Sequence, residues 1–319
     1  MAGNTGRALH IDVALTNMAM GYRPGGFIAD MIFPTVNVQK QADLYYEFSR
    51  ADRLRRENDI RAPGTAANRV MESVSSGNFF CKNYALASAA VIEDKVNADP
   101  MLVAQIINGK ARLILDKLYL GMEYRCATLV NSTTNVGSSS AVSSAWNGAG
   151  DVLGNLNQAI DNLMDANGIS DASNIHVAMG LDAWKSARRD STVRNLINGT
   201  NNGGGYATRE QFKSLLEIGE LHIGGAYQNT GEEGLTENLS KIWKDNVLVY
   251  YAPPAPSIEL PSYGYNFRWV ANGIANLQVE RHPYDSVIKA ELIEAGFYQD
   301  EKITGKSYSF LLTAVNSST

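Results

Sequence analysis

The sequence predicts an α+β fold in which one long helix lies against a sheet and an α/β block is inserted between them. Three observations predict it. Apolar periodicity runs from Asp99 to about Asn131 with no proline after Pro100; helix and strand patterns alternate from Asp151 to Tyr251; and strict apolar/polar alternation recurs from Ala275 onward. The 319 residues are 45% hydrophobic, enough for a sizeable core in one large or two smaller domains. A net charge of −5 gives no general electrostatic reason to bind nucleic acid, which argues against sequence-specific DNA recognition.

Residues 1–34 hold no sustained period. Gly21, Pro24, Gly25 and Gly26 interrupt them and leave at most a short helix around Asp12–Met20. This composition predicts an N-terminal arm that orders only when a partner surface ties it down.

Residues 35–80 read as two strands joined by a long projection. Val36, Val38, Leu44, Tyr46 and Phe48 form the first strand pattern, and Val70 and Val74 begin the second. The connection, Ser49 to Ala66, carries Arg50, Arg53, Arg55, Arg56 and Arg61 against Asp52, Glu57 and Asp59, with Ala62-Pro63-Gly64 as a turn signal. An isolated two-stranded hairpin is marginal in water, and long connections inside compact domains are uncommon. The expectation is that this projection rests on another copy of the same protein. Interleaved acids and arginines favour protein–protein ion pairing over contact with DNA phosphates, so Arg50, Arg53, Arg55, Arg56, Glu57, Asp59 and Arg61 are the candidate interface residues.

Asp99 is a suitable N-cap and Pro100 a suitable first residue for the long helix. Leu102, Ile106, Leu113, Leu120 and Tyr124 recur on one face, flanked by Val103, Ile107, Ile114 and Leu118. Some thirty residues at ~1.5 Å each give a rod of roughly 45 Å. The Ser-, Thr-, Asn- and Gly-rich stretch 132–149 then reads as a linker.

In the α/β block, helices are expected from Val152 to about Gly168, from Asp182 to about Ile197, and from Thr208 to Ile218. Strands are expected at Ile175–Met179, Leu221–Ala226 and Val247–Tyr251. In the tail, Ala275/Leu277/Val279, Ile288/Ala290/Leu292 and Tyr308/Phe310/Leu312/Ala314 predict three half-buried strands packed along the long helix.

Catalytic and metal chemistry finds little footing. His10, His176, His222 and His282 form no ligand-spaced pair, and Cys81 and Cys126 read as buried thiols. His176 and His222 read as hydrogen-bonded core or edge residues. No nucleophile elbow or phosphate loop is present, and Glu93/Asp94 and Glu232/Glu233, adjacent in sequence, do not face each other for acid/base work. No cofactor is expected, and no apolar run is long enough for a membrane span. The expected product is a soluble, non-enzymatic protein made in the cytosol.

The layout resembles the major capsid proteins of tailed bacteriophages, the Hong Kong 97-type shell fold. The resemblance rests on Phe27-Ile28-Ala29-Asp30-Met31-Ile32-Phe33-Pro34 leading into Val36 and Val38, on Arg61-Ala62-Pro63-Gly64, on Trp243 through Val247-Leu248-Val249-Tyr250-Tyr251-Ala252-Pro253, on Trp269, and on the pattern around Asp300, Lys302, Ile303 and Thr304. It implies an N-terminal arm (1–34), an extended loop (35–80), a peripheral domain (81–145 with 274–319, spine helix about 100–131) and an axial domain (146–273). It further implies a shell of hexamers and pentamers in a virion made in the host cytoplasm. The implied partners are a portal, separate scaffolding and decoration proteins, and packaged double-stranded DNA held without sequence specificity, with no membrane. The Lys–Asn cross-link of some members is not carried over: Lys40 and Lys82 lie near the loop, but no motif marks a bonding trio. Three alternatives remain at this level, an encapsulin-like compartment shell, a tail tube protein and a soluble α/β enzyme on residues 151–260.

Overall fold

The computed structural model describes residues 12–22, 24–48, 54–57, 59–71, 74–148, 150–198, 205–257, 260–271, 277–284, 287 and 289–316. Among these, helix Val13–Gly21 and the single turn Ala29–Ile32 precede β1 (Thr35–Val38), β2 (Ala42–Phe48), β3 (Val74–Phe80) and β4 (Lys82–Val91). A short helix, Ile92–Asn97, leads to the long helix Pro100–Val130 and to β5 (Ser138–Ala141). Helix Val152–Asn167, β6 (Ile175–Gly180), helices Leu181–Ala187, Ser191–Asn198 and Arg209–Leu216, and β7 (Glu220–Gly224) follow. Then come β8 (Tyr227–Asn229), β9 (Leu239–Lys241), β10 (Val247–Tyr251), β11 (Gly264–Trp269), β12 (Gln278–Arg281), β13 (Ala290–Ile303) and β14 (Ser309–Thr313).

Two five-stranded sheets organise the chain. The first runs β1-β11-β13-β12, with β4 paired along the other side of β13; the second runs β5-β14-β10-β6-β7. The long helix ends within one residue of expectation, but its buried face differs. Ile107, Ala111, Ile114, Leu115, Leu118, Met122, Cys126 and Val130 are buried, whereas Leu102, Leu113 and Tyr124 are 45%, 46% and 51% exposed. The inward stripe includes Ala111, Met122 and Cys126, which a leucine-led pattern passes over. Nor does the Asp99 side chain cap the helix: its backbone carbonyl accepts from Leu102 and Val103 instead.

Three strand expectations change. Val36 and Val38 belong to β1, which pairs in parallel with β11 and buries Val38 beside Tyr265 and Phe267. The projecting hairpin therefore starts at Ala42, and Val70 lies in its exposed connection, ahead of β3. Gly264–Trp269, expected within the inserted block, is instead a strand of the first sheet. Ser309–Thr313, expected along the long helix, sits between β5 and β10 in the second sheet. The reason is composition: Phe310-Leu311-Leu312 is apolar on both sides, and Ser309 through Leu312 are all buried, as a central strand requires. In β13 the buried alternation is Ile293, Ala295, Phe297, Gln299 and Glu301, with Leu292 only half-buried.

The helix expected over Asp182–Ile197 breaks at Arg188–Asp190. Asp190 competes for the backbone there, its Oδ1 accepting the Val193 N–H at 3.0 Å to start a second helix. Thr208 caps Arg209–Leu216 in a reciprocal box with Gln211. One core lies between the long helix, the first sheet, the N-terminal segment and the inner face of the second sheet. Another joins the outer face of that sheet to its helices.

Candidate assembly surfaces

The β2–β3 hairpin, paired from Ala42↔Phe80 to Phe48↔Val74, does bury its base on its own chain. Tyr45 and Phe79 stack on Phe267 of β11, with ring centroids 5.6 and 4.6 Å away. Gly77 faces Tyr45, whose ring occupies the space a side chain at 77 would need. The Phe80 N–H donates to Asp300 Oδ2 at 2.9 Å, and the Gln41 and Cys81 backbones are bridged at 2.8 Å. Both cysteines are fully buried, as expected; desolvation lifts the Cys81 thiol to about 11 and Cys126 well above its usual value.

Beyond the base the projection opens to solvent. Every described residue from Leu54 to Met71 is exposed, including the apolar Ile60, Val70 and Met71 at 80%, 68% and 83%. The signalled turn forms: Gly64 has φ +82°, the Thr65 N–H reaches the Ala62 carbonyl at 3.2 Å, and Arg61 Nε donates to Thr65 O at 2.6 Å. Arg55, Arg56, Glu57, Asp59 and Arg61 therefore share one exposed segment; Arg50 and Arg53 lie outside the described residues. Leu54 touches its own chain, with Cδ1 3.1 Å from where a Cβ on Gly168 would stand. The expectation that the projection rests on another copy is thus corrected at its base and at Leu54, which rest on their own chain.

The described part of the N-terminal segment, residues 12–22 and 24–34, is likewise tied to its own chain; residues 1–11 of the expected arm lie outside the described residues. Glu123, 1% exposed in the long helix, accepts the backbone N–H groups of Ile28 at 2.8 Å and Ala29 at 2.9 Å, and the indole N–H of Trp243. Tyr22 donates to Asp116 at 2.7 Å, and the Asp12 N–H bonds to the Val279 carbonyl at 3.1 Å. Burial raises the Glu123 carboxyl above its ordinary range, and the three donors pull it partly back. No motif announces this residue. Its signal is positional: it falls on the buried stripe between Tyr119 and Cys126.

His176 and His222 stand side by side on β6 and β7, rings 5.7 Å apart and both against Tyr250. His176 Nδ1 and His222 Nε2 are buried without a hydrogen-bond partner among the described residues, which corrects the expectation of satisfied histidines. Among the described residues no group of three or more His, Cys, Asp or Glu is placed to hold a metal.

No protein-family model matches the sequence. A protein named major capsid protein, from Burkholderia phage BcepMu, is 22% identical over 318 residues, spanning 96% of this chain and 97% of its own. A phage-related protein from Bordetella bronchiseptica RB50 superposes with a TM-score of 0.76 at 18% identity, over 98% of this chain and 100% of that one. The capsid of cyanophage P-SCSP1u gives a TM-score of 0.57 at 10% identity, over 99% and 93%. A virus-like particle from Pyrococcus furiosus gives 0.53 at 11%, over 94% and 96%. The chain has the α+β fold of the Hong Kong 97-type capsid proteins along essentially its whole length.

Proposed function

We propose that this chain is the major capsid protein of a tailed double-stranded DNA bacteriophage, and that its copies close into the icosahedral head as hexamers and pentamers. The observation that carries the reading is end-to-end correspondence: one architecture, from N-terminal arm to β14, is shared with phage capsids, and a relative named major capsid protein aligns over 96% of the chain. The first sheet with the long helix serves as the peripheral domain, residues 81–145 and 274–319 without β5 and β14 but with β1 and β11. The second sheet and its helices serve as the axial domain, 146–273 without β11 but with β5 and β14. The β2–β3 projection is the extended loop, laid on an adjoining subunit.

Exposed apolar residues on that loop support the assignment, because Ile60, Val70 and Met71 gain by leaving water and charged neighbours can fix register. A portal, separate scaffolding and decoration proteins, and packaged DNA held without sequence specificity complete the set of partners, with the virion as the site of function. Sedimentation and negative-stain imaging of the purified full chain test the proposal. Capsomers, or closed shells with its genomic neighbours co-expressed, are expected; uniform shells from the chain alone count against a separate scaffold, and a chain that stays monomeric at high concentration under both conditions overturns the proposal.

A further inference from the structure

Two patches at opposite ends of the short helix Leu181–Ala187 complement each other. At its C-terminal end, Arg188, Arg189 and Arg194 cluster on one turn with a single acid, Asp190, whose Oδ1 is already bonded to the Val193 N–H. Arg188 and Arg189 flank the Tyr206 ring at 5.1 and 5.8 Å, and the Ala207 N–H reaches the Arg188 carbonyl at 3.4 Å. Leu196 and Tyr206 stand exposed beside them, at 60% and 55%.

At its N-terminal end, Asp182 pairs with Lys241 at the base of the β8–β9 hairpin. This hairpin belongs to neither large sheet, and its three-residue strands are too short to be stable alone. Its tip is ordered by Asn229 Oδ1, which accepts from the Gly231 and Asn238 N–H groups at 2.9 Å each. The tip carries Glu232, Glu233 and Glu237, all exposed, with Leu235 at 69% and Leu239 at 58% exposure.

Several other charges of this unit are used within the chain: Lys213 pairs with Glu220, and Lys185 and Lys241 with Asp182. Among the described residues, neither the three arginines nor the three glutamates have an ion-pair partner. Each patch combines apolar side chains with an excess of charge of one sign, and the two signs are opposite.

We infer that the β8–β9 hairpin of one copy docks on the Arg188–Arg194 turn of the next copy. Leu235 and Leu239 meet Leu196 and Tyr206, and Glu232, Glu233 and Glu237 pair with Arg188, Arg189 and Arg194. Because the patches are different surfaces of one molecule, the contact is head-to-tail and repeats around a ring. Apolar centre and charged rim match the anatomy of specific interfaces, and the charges select the partner's orientation. The inference rests on the shell reading and names the contact within its rings.

The test reverses charges in the full-length protein. Glu232→Lys/Glu233→Lys/Glu237→Lys and Arg188→Glu/Arg189→Glu/Arg194→Glu are made separately and then together in one chain. Circular dichroism checks folding, and sedimentation velocity with negative-stain imaging reads assembly. Each separate reversal is expected to lower the assembled fraction ~tenfold or more, and the combined chain to recover it. The hairpin variant alters only exposed residues, so it keeps the test decisive even where the turn variant misfolds. Unmodified shells with either folded reversal assembling normally, or no recovery in a folded combined chain, overturn the contact while leaving the shell reading standing. Normal assembly of the turn variant with weakened, salt-dependent DNA binding overturns it in favour of a phosphate surface. An unmodified chain that never assembles overturns both.

Discussion

Trp243 gives its indole N–H to the carboxylate of Glu123, and the same carboxylate holds the backbone of Ile28 and Ala29. One side chain thus joins the long helix, the segment leading into β10 and the N-terminal arm. Glu123→Ala leaves three buried donors without their acceptor. It is expected to lower stability by about 2–4 kcal/mol, from the cost of unmade hydrogen bonds to a charged group. Urea denaturation of the unassembled chain measures the loss, and limited proteolysis should cut first within residues 12–34. Unchanged proteolysis there would remove Glu123 from the role of anchor.

Acid sensitivity is expected to come from the histidine pair. Burial, and then the neighbouring His176, lower the His222 pKa from 6.5 to about 4, with Glu220 opposing and Lys213 adding to the shift. His176 is lowered in the same direction, chiefly by burial. The unfolded chain then takes up protons more readily than the folded one. Stability is full above pH 6.5 and falls as pH drops toward 4. Glu123, raised by burial, works the opposite way as pH falls. Thermal unfolding of the unassembled chain across this window should show the decline, and His222→Phe should flatten it. An equally steep decline in that variant points to other groups.

Phe267 supports the projecting hairpin through its two stacked rings. Phe267→Ala is expected to cost about 3–5 kcal/mol, typical of deleting a fully buried aromatic ring. Hydrogen exchange should report the loss first across β2 and β3. Protection lost evenly over the whole chain would count against this local role.

On the loop itself, Arg53→Ala/Arg55→Ala/Arg56→Ala is expected to leave the monomer folded and to impair shell formation. A single exposed ion pair contributes only about 0–1 kcal/mol. The effect comes from many copies of the contact in one closed lattice. Wild-type particles from this variant, judged by yield and by melting of the assembled shell, would take the arginines out of the interface.

Where residue pattern and tertiary burial agree, the sequence is a good guide. Pro100–Val130, Val247–Tyr251 and the Ala62–Thr65 turn were legible because periodicity, apolar continuity and Pro-Gly chemistry act locally. The errors arise where a distant partner decides. Val36 and Val38 alternate like a hairpin strand, yet their partner is β11, more than two hundred residues away in sequence. Ser309–Thr313 alternates only if Leu311 is ignored, and Leu311 is fully buried. The loop charges were visible as a cluster, but their exposure and Leu54's approach to Gly168 required the fold. Glu123 went unnoticed because a lone carboxylate in a long helix ordinarily faces water.

The place of β14 between β5 and β10 has a kinetic consequence. Translation delivers β5, β6, β7 and β10 well before the strand that joins β5 to β10. While residues 309–313 are unmade, that sheet stays split and its two halves lack the bonds that would fix their register. Closure of that sheet, and with it the burial of Leu311 and Leu312, therefore waits on the last strand in chain order.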